Sequence, residues 1–191
     1  MNGLLTVLVG PSGVGKDAIS TMLLERFEDL GATDTVSSTT RPPRVGEVNG
    51  IHYHFLSREA FEQQIARGNF IEHASYGGNL YGTSRPMLEE LLVHSPLVIA
   101  ILEINGCRQL LEKGIAVLIC PIVPDDIAVL EQRIRARPGT SEADITQRLA
   151  EAARELAILT SGEFGPPVVN RDGHLTDAVD EIQRRIEARL R

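Results

Sequence analysis

"LLTVLVGPSGVGKD", residues 4–17, is the stretch that decides the fold. The apolar, β-branched run over 4–10 predicts a buried strand, and apolar residues at helical spacing over 14–28 predict an amphipathic helix. Between them, glycines and a lysine stand at the spacing of a phosphate-binding loop, in which backbone N–H groups converge on phosphate oxygens. The loop is expected to bind the phosphates of a nucleoside triphosphate through Gly10, Pro11, Ser12, Gly13, Val14, Gly15, Lys16 and Asp17.

Asp17 is unusual in this loop, because the residue after the lysine is normally Ser or Thr, whose hydroxyl ligates Mg²⁺. A carboxylate can also bind Mg²⁺, directly or through water. We therefore expect Asp17 to keep the donor site and to change one metal ligand from a hydroxyl to a carboxylate.

The composition is that of an ordinary globular chain of 191 residues, enough for one domain with its own core. Its net charge of −7 argues against a general nucleic-acid binder. The two cysteines, Cys107 and Cys120, lack metal-ligand spacing and are expected to be reduced, buried thiols. Without a signal sequence or a long apolar segment, a cytoplasmic protein that does not contact membranes is expected, as a monomer or a homodimer.

Strand and helix patterns alternate along most of the chain, which predicts an α/β fold with a parallel sheet. Residues 33–84 interrupt the alternation with short β-like pieces and a helix at 57–67, and they indicate an inserted subdomain. The further strands are predicted at 96–104, 114–123 and 166–170, and the further helices at about 124–135, 142–160 and 174–190.

A second anion site is indicated by Arg41 and Arg44, which flank the rigid Pro42–Pro43 pair. Two guanidinium groups on one turn can bind a phosphate bidentately, and Tyr53 and Tyr81 could each add a phenolic hydrogen bond. Taken singly, the arginines could lie on a solvated turn and the tyrosines could cover the core.

The runs "VSSTTRPPRVGEVNGIHYHFLSREAF" (36–61) and "ARGNFIEHASYGGNLYGTSR" (66–85) closely resemble the nucleotide-binding subdomain of guanylate kinases. The resemblance extends more loosely over nearly the whole chain, including 133–156 and the "VVN" of 168–170. It implies a P-loop three-layer fold with a central parallel sheet, an inserted NMP-binding subdomain and a short lid. The core would comprise 1–32, 85–132 and 145–191, the subdomain 33–84 and the lid 133–144.

The resemblance also implies ATP as phosphoryl donor, Mg²⁺ and GMP as acceptor. Arg41, Arg44, Tyr53 and Tyr81 would hold the GMP phosphate. Ser37, Glu72 and Thr83 match the family's guanine contacts. Guanine offers two donors, N1–H and the amine, that one carboxylate can accept, whereas its O6 needs a donor such as a hydroxyl.

Three arginines, Arg133, Arg137 and Arg148, flank the loop at 138–144, and the resemblance places them over the triphosphate and the transferring phosphoryl group. Arg133 could equally be a helix-surface arginine paired with a nearby acid. Asn170 matches a family position near the adenine.

Other departures concern the acceptor and the lid. In "LEINGCRQ" (102–109), Glu103 keeps the first of two family acids, Asn105 replaces the second, and the turn is about two residues shorter. Asn105 would still accept a hydrogen bond from guanine, with weaker base selectivity. Asp17 and Glu103 are the candidate Mg²⁺ ligands. Pro138 is expected to affect the rate of lid closure.

Two alternatives remain open from the sequence. Asp17 and "NRDGHL" (170–175) also resemble ribose 1,5-bisphosphate kinases, so the acceptor could be that sugar phosphate or a modified nucleotide. Guanylate-kinase-like domains of scaffolding proteins bind phosphopeptides without catalysis, but they typically lose the ATP loop, which is intact here.

Overall fold

The computed structural model describes residues 3–136 and 141–191. The strands are β1 (Leu4–Val9), β2 (Thr33–Asp34), β3 (Ser38–Thr39), β4 (His54–Phe55), β5 (Phe70–Tyr76), β6 (Asn79–Ser84), β7 (Leu97–Ile101), β8 (Val117–Pro124) and β9 (Val168–Asn170). The α-helices are α1 (Lys16–Arg26), α2 (Arg58–Ala66), α3 (Arg85–His94), α4 (Ile104–Glu112), α5 (Ile127–Arg135), α6 (Glu142–Leu159) and α7 (Leu175–Leu190).

The main sheet has the order β2-β7-β1-β8-β9, with every neighbouring pair parallel. Side chains of successive residues in β1 enter two different apolar clusters, because the side chains of a strand alternate between its faces. One cluster adds residues of α1 and α7, and the other adds residues of α3 and α4. Helices therefore cover both faces, which confirms the predicted α/β fold with a central parallel sheet.

A second, mixed sheet has the order β4-β3-β6-β5, in which β3 and β4 are parallel and the other pairs are antiparallel. Helix α2 packs on it through Phe61, whose ring stacks on that of Phe70 with the centroids 4.3 Å apart. Ser57 starts this helix by accepting a hydrogen bond from the Ala60 N–H at 3.1 Å. This sheet lies within the segment predicted as an insertion, whose boundaries stay a prediction.

The structure differs from the sequence-based elements around α3 and α4. Neither helix was predicted, and the strand expected over 96–104 ends at Ile101. Glu103 is instead the N-cap residue of α4. Apolar residues continue past the end of the strand at Leu102 and Ile104, on either side of Glu103, so that hydrophobicity alone does not mark the boundary.

None of the helices described is both long enough and apolar enough to cross a membrane.

Candidate active site

The candidate site lies at the carboxyl edge of the main sheet. The loop that follows β1 starts there, and β1 stands between β7 and β8 in the sheet. In open parallel sheets, ligands bind outside the carboxyl ends of the strands, where connections leave in opposite directions. The predicted phosphate loop is therefore at the position that the topology favours for a ligand.

The loop geometry depends on its glycines. Gly13 and Gly15 have φ angles of 87° and 98°, in the region that favours glycine. Gly10 lies so close to β8 that a Cβ there would stand 2.5 Å from the Ile122 carbonyl oxygen. Gly15 caps α1 without a side-chain hydrogen bond, so the first N–H groups of α1 and the positive end of its dipole are available to an anion.

Lys16, the first residue of α1, turns back over the loop. Its Nζ donates to the carbonyl oxygens of Gly10 at 2.5 Å and Pro11 at 3.2 Å. These contacts hold the ammonium group beside the backbone cradle, where a phosphate would meet it. The predicted role of Lys16 as the point charge of the loop fits this placement.

Asn170 supports the loop from the end of β9. It is buried, and its Nδ2 donates to the Val14 carbonyl oxygen at 2.7 Å. A Cβ on Gly15 would lie 2.7 Å from the same Nδ2. The sequence placed Asn170 near an adenine, and the structure places its amide against the loop backbone.

Two of the three predicted lid arginines meet the loop. Arg133 Nη1 donates to the Gly13 carbonyl oxygen at 3.3 Å, and its Nη2 donates to Asp172 Oδ1 at 2.8 Å. Arg148 Nη1 donates to Ser12 Oγ at 3.4 Å. Arg133 therefore has both the acidic partner expected of a helix-surface arginine and the loop contact expected of a residue at the donor site. Arg137 and Pro138 lie outside the described residues.

Acidic residues stand near the ammonium group of Lys16. Burial raises the pKa of the Glu103 carboxyl, and nearby Lys16 opposes that shift. Burial, followed by the charge of Glu103, raises the pKa of Glu155 to about 7. Glu155 was not predicted as a site residue, because a lone Glu in an amphipathic helix carries no distinguishing pattern.

The predicted phosphate clamp is organised around Arg41. Its Nη1 and Nη2 donate to the two carboxylate oxygens of Glu47 at 2.8 and 2.9 Å, and Nη1 also donates to the Pro42 carbonyl oxygen. The bonds to Glu47 use the edge of the guanidinium formed by Nη1 and Nη2, and Tyr81 is a further hydrogen-bond partner of Arg41. The edge formed by Nε and Nη2 has the geometry to bind another anion. The bond from Arg41 lowers the pKa of Glu47 to about 2. Glu47 was not predicted as a site residue, although it lies three residues after Arg44.

The two predicted tyrosines stand beside Arg41. The Arg41 guanidinium lies 5.4 Å from the ring centroid of Tyr53, and the rings of Tyr53 and Tyr81 meet edge-on with centroids 6.1 Å apart. Burial raises the pKa of Tyr53, with Tyr81 and Asp17 acting in the same direction. The clamp residues thus form one group, with Asp17 close enough to influence it.

A cleft connects the clamp to the loop. One part, of about 360 Å³, is lined by residues that include Asp17, Ser37, Arg41, Arg44 and Tyr53. The adjoining part, of about 250 Å³, shares the last four of these and adds Ser12, Glu72, Tyr81, Glu103 and Arg148. The lining of this cleft therefore includes most of the predicted acceptor residues, but only Ser12, Asp17 and Arg148 of those predicted to contact the donor. Asp17 lies in the part that Arg41, Arg44 and Tyr53 also line.

Glu72, one of the predicted guanine contacts, lines the second part of this cleft. Glu72 and Thr83 are paired on β5 and β6, and both are buried. Burial raises the pKa of the Glu72 carboxyl, and the Thr83 hydroxyl opposes this shift. That hydroxyl nevertheless makes no hydrogen bond of ordinary geometry with any described group. A buried acceptor and a buried hydroxyl side by side suit a planar ligand with both donors and acceptors.

Asn105 is not brought to this pocket. It lies on the exposed side of α4 and lines a separate surface hollow with Arg58 and His73. The turn after β7 is short, and α4 already begins at Ile104. Successive residues of a helix point about 100° apart, so Gly106 faces Glu72 while Asn105 faces away from it. The structure thus places Asn105 apart from Glu72 and Thr83, the residues with which it was expected to contact guanine.

Both cysteines are free and buried, as the sequence predicts. Burial raises the pKa of Cys107 to about 12 and that of Cys120 to about 11. Among the described residues, no three His, Cys, Asp or Glu side chains form a metal-binding group. A metal at this site would need most of its ligands from elsewhere.

Comparisons with known proteins agree with this geometry. The family model described as guanylate kinase matches residues 3–189. The guanylate kinase of Idiomarina loihiensis is 43% identical over 170 residues, which cover 89% of this chain and 80% of that protein. The guanylate kinase of a Nostoc species is 42% identical over 172 residues, covering 90% and 84%. The crystal structure of guanylate kinase from Anaplasma phagocytophilum matches with a TM-score of 0.76 at 28% identity, covering 98% of this chain and 86% of the other.

Proposed function

The chain belongs to the guanylate kinase family, and we propose that it catalyses the ATP-dependent phosphorylation of GMP to GDP. The observation that carries the proposal is the arrangement of two anion sites on one cleft. A glycine loop opens α1 at one side, and an arginine–tyrosine clamp stands at the other. A buried carboxylate lies at the inner end of the same cleft.

Guanine is the base that this pocket recognises in our proposal. Glu72 accepts hydrogen bonds from N1–H and the exocyclic amine, and Ser37 and Thr83 donate to O6. Adenine has no N1–H and no O6, so that it would leave the buried Glu72 carboxylate unpaired at a considerable cost. Asn105 has no part in this recognition, because it lies outside the pocket.

The GMP phosphate is held by Arg41, Arg44, Tyr53 and Tyr81. Glu47 fixes the Arg41 guanidinium so that its Nε–H and remaining Nη2–H face the phosphate as a fork. The Glu47 carboxylate stays ionised at neutral pH, because its pKa is about 2. The clamp is thus preorganised before the acceptor arrives, which reduces the entropy lost on binding.

The reaction transfers the terminal phosphoryl group of ATP. An oxygen of the GMP phosphate forms a bond to the γ-phosphorus as the bond to the β–γ bridging oxygen breaks, and ADP leaves. Protein groups contribute mainly positioning and charge neutralisation in such a transfer. The loop N–H groups and Lys16 hold the β- and γ-phosphates, and Arg148 and Arg133 neutralise charge from the lid side. Arg137 joins them in this proposal by resemblance alone.

Mg²⁺ fits this site as a companion of the triphosphate. Asp17 and Glu103 offer carboxylate oxygens, which are ligands that Mg²⁺ prefers. The described residues hold no complete metal-binding group of their own. Most ligands would therefore come from phosphates and water. Mg²⁺ would neutralise the charge of the triphosphate. Asp17 is the less direct candidate of the two, because it lines the acceptor side of the cleft.

The remaining assignments are expectations of the same proposal. We propose the subdivision into a core, an NMP-binding subdomain at 33–84 and a lid at 133–144. We also propose a cytoplasmic enzyme that acts as a monomer or homodimer on a small-molecule substrate.

An acceptor panel tests the proposal. Turnover with ATP and Mg²⁺ is measured by a coupled assay for GMP, dGMP, AMP, UMP and ribose 1,5-bisphosphate. We expect GMP to have the highest kcat/KM and AMP to react at least a hundredfold more slowly, in line with the cost of an unpaired buried acceptor. Preference for the sugar bisphosphate, or phosphopeptide binding without any turnover, would reject it.

A further inference from the structure

One face of α4 lies against the strand that carries Glu72. Gly106, Gln109 and Lys113 occur at i, i+3 and i+7, the last being the C-cap residue, so that they share one side of the helix. All three contact β5 residues from 71 to 73. Because β5 is at the edge of its sheet, its outer N–H and C=O groups are open to such contacts.

The backbone on both sides of Glu72 is held by α4. Gln109 accepts a hydrogen bond from the His73 N–H at 3.1 Å and donates from Nε2 to the His73 carbonyl oxygen at 2.7 Å. Lys113 Nζ donates to the carbonyl oxygen of Ile71. The side-chain amide of Gln109 therefore bonds both the N–H and the carbonyl oxygen of His73, as a neighbouring β-strand would.

Between these two attachments, the strand is irregular. The β5–β6 register shifts between Phe70 and Glu72, as at a β-bulge, which re-aims the side chains that follow. The Ile71 side chain is buried in the apolar cluster that contains Leu110 of α4. The direction of the Glu72 side chain is thus fixed from the core side and not by sheet pairing alone.

Gly106 provides the space for the carboxyl group itself. A Cβ on Gly106 would lie 2.6 Å from Glu72 Oε2, closer than real Cβ contacts come. Gly106 has no positive φ angle, so its backbone conformation does not require glycine. The reason for glycine at this position is therefore the approach of the Glu72 carboxyl group.

We propose that α4 sets the base selectivity of the site, with Gly106 as a specificity-determining residue that seats the Glu72 carboxylate and Gln109 as a positioning residue that holds its strand. This inference rests on the proposed function, since it takes Glu72 as the guanine contact. It assigns to the α4–β5 contact a role in choosing the base in addition to joining two parts of the fold.

The test compares GMP with IMP, which lacks the exocyclic amine and so makes one contact fewer with Glu72. Gln109→Met removes both hydrogen bonds to His73 at similar volume. We expect kcat/KM for GMP to fall about 5- to 30-fold, as for loss of one or two hydrogen bonds, with the KM for ATP unchanged within about twofold. The fall for IMP should be smaller, so the GMP/IMP ratio decreases. Gln63→Met, at an exposed position of α2, is the matched control and should leave the ratio unchanged.

A double-mutant cycle separates positioning from stability. In a Glu72→Gln background, Gln109→Met should have little further effect on the GMP/IMP ratio, because the group that it positions is already altered. An equal loss for GMP and IMP, or a parallel rise in the KM for ATP, would overturn the proposal in favour of a purely structural contact.

Gly106→Ala decides the case even if Gln109→Met fails to fold. Alanine favours the helix, which offsets part of the cost of displacing the carboxyl group, so this variant should remain folded. A ¹³C titration of Glu72 should show a changed pKa in the variant, whether or not GMP is a substrate. An unchanged titration and an unchanged GMP/IMP ratio would refute the seat. Absence of GMP turnover by the wild type would instead reject the proposed function, and the titration would still test the seat.

Discussion

Glu47→Gln is the most informative single change in the clamp, because it keeps the volume and removes the charge that holds Arg41. The pair is mostly shielded from water, with side-chain exposures of 12% for Arg41 and 16% for Glu47. Both guanidinium Nη atoms donate to the carboxylate, so the geometry is that of a strong ion pair. The amide of glutamine can accept only one of these bonds and brings its own donors toward the guanidinium.

The size of the effect follows from the pKa of Glu47. A pKa of about 2, against an ordinary value of 4.5, corresponds to about 3 kcal/mol at about 1.4 kcal/mol per unit. This is an upper limit, because both side chains keep some exposure and line a cleft, so that water screens the pair in part. We expect a loss of about 1–2 kcal/mol in the free energy of unfolding, which lowers Tm by about 3–6 °C in a chain of this size.

The pH dependence has a definite sign. The folded-state pKa of Glu47 is depressed, so the contribution is fully present above pH 4.5 and is lost as the pH falls toward 2. The difference in unfolding free energy between wild type and variant should therefore shrink as the pH is lowered from 5 to 3. Urea unfolding at several pH values measures it.

Kinetics give the second readout of this change. We expect kcat/KM for GMP to fall about 5- to 20-fold, as for loss of a hydrogen bond to a charged group, with the KM for ATP nearly unchanged. Glu90→Gln, at an exposed position of α3, is the control. Unaltered GMP kinetics, or a stability difference that does not depend on pH, would refute the idea that Glu47 presets Arg41.

Four further changes test other parts of the site. Lys16→Ala should abolish turnover, and measurable activity would contradict its place in the donor site. Asp17→Ser should keep activity and alter the Mg²⁺ dependence; an identical Mg²⁺ titration would mean that Asp17 does not face the metal. Asp172→Asn should weaken the hold on Arg133 and raise the KM for ATP more than that for GMP, as initial rates at varied ATP would reveal. Glu155 has a raised pKa of about 7, so its stabilising effect is lost as the pH rises from 4.5 to 7. Glu155→Gln should therefore raise Tm at pH 8 more than at pH 5. Equal shifts of Tm at both pH values would contradict the raised pKa.

The sequence predicted those parts of the molecule whose pattern is local. The buried strands, the glycine loop and the helices α1, α6 and α7 were all found, with ends displaced by a few residues. Helix ends depend on capping groups, and the Ser141 capping box that starts α6 shows how specific such contacts are. Helix α4 was missed because Asn105 and Gly106 disfavour a helix locally, and packing against β5 overrides that preference.

The same distinction separates the site residues that were predicted from those that were missed. Arg41, Tyr53, Glu72 and Tyr81 were identified from a recognisable run, and the structure brings them to one cleft. Asn105 was expected beside these residues, and the structure places it on the exposed face of α4 instead, because the register of a helix face depends on where the helix begins. The partners Glu47 and Asp172 act through an arginine far along the chain or across a turn, and single acids carry no pattern that marks them.

The two thiols give the molecule a built-in pair of reporters. Cys107 belongs to the apolar cluster on one face of the main sheet, and Cys120 to the cluster on the other. With thiol pKa values of about 12 and 11, neither reacts appreciably at neutral pH while buried, since the thiolate is the reactive form. Alkylation then requires local opening, and mapping which cysteine is modified first tells which layer opens more easily. Because Cys107 directly follows Gly106 in α4, its labelling rate also reports, without any engineered probe, whether a bound nucleotide makes local opening of that helix rarer.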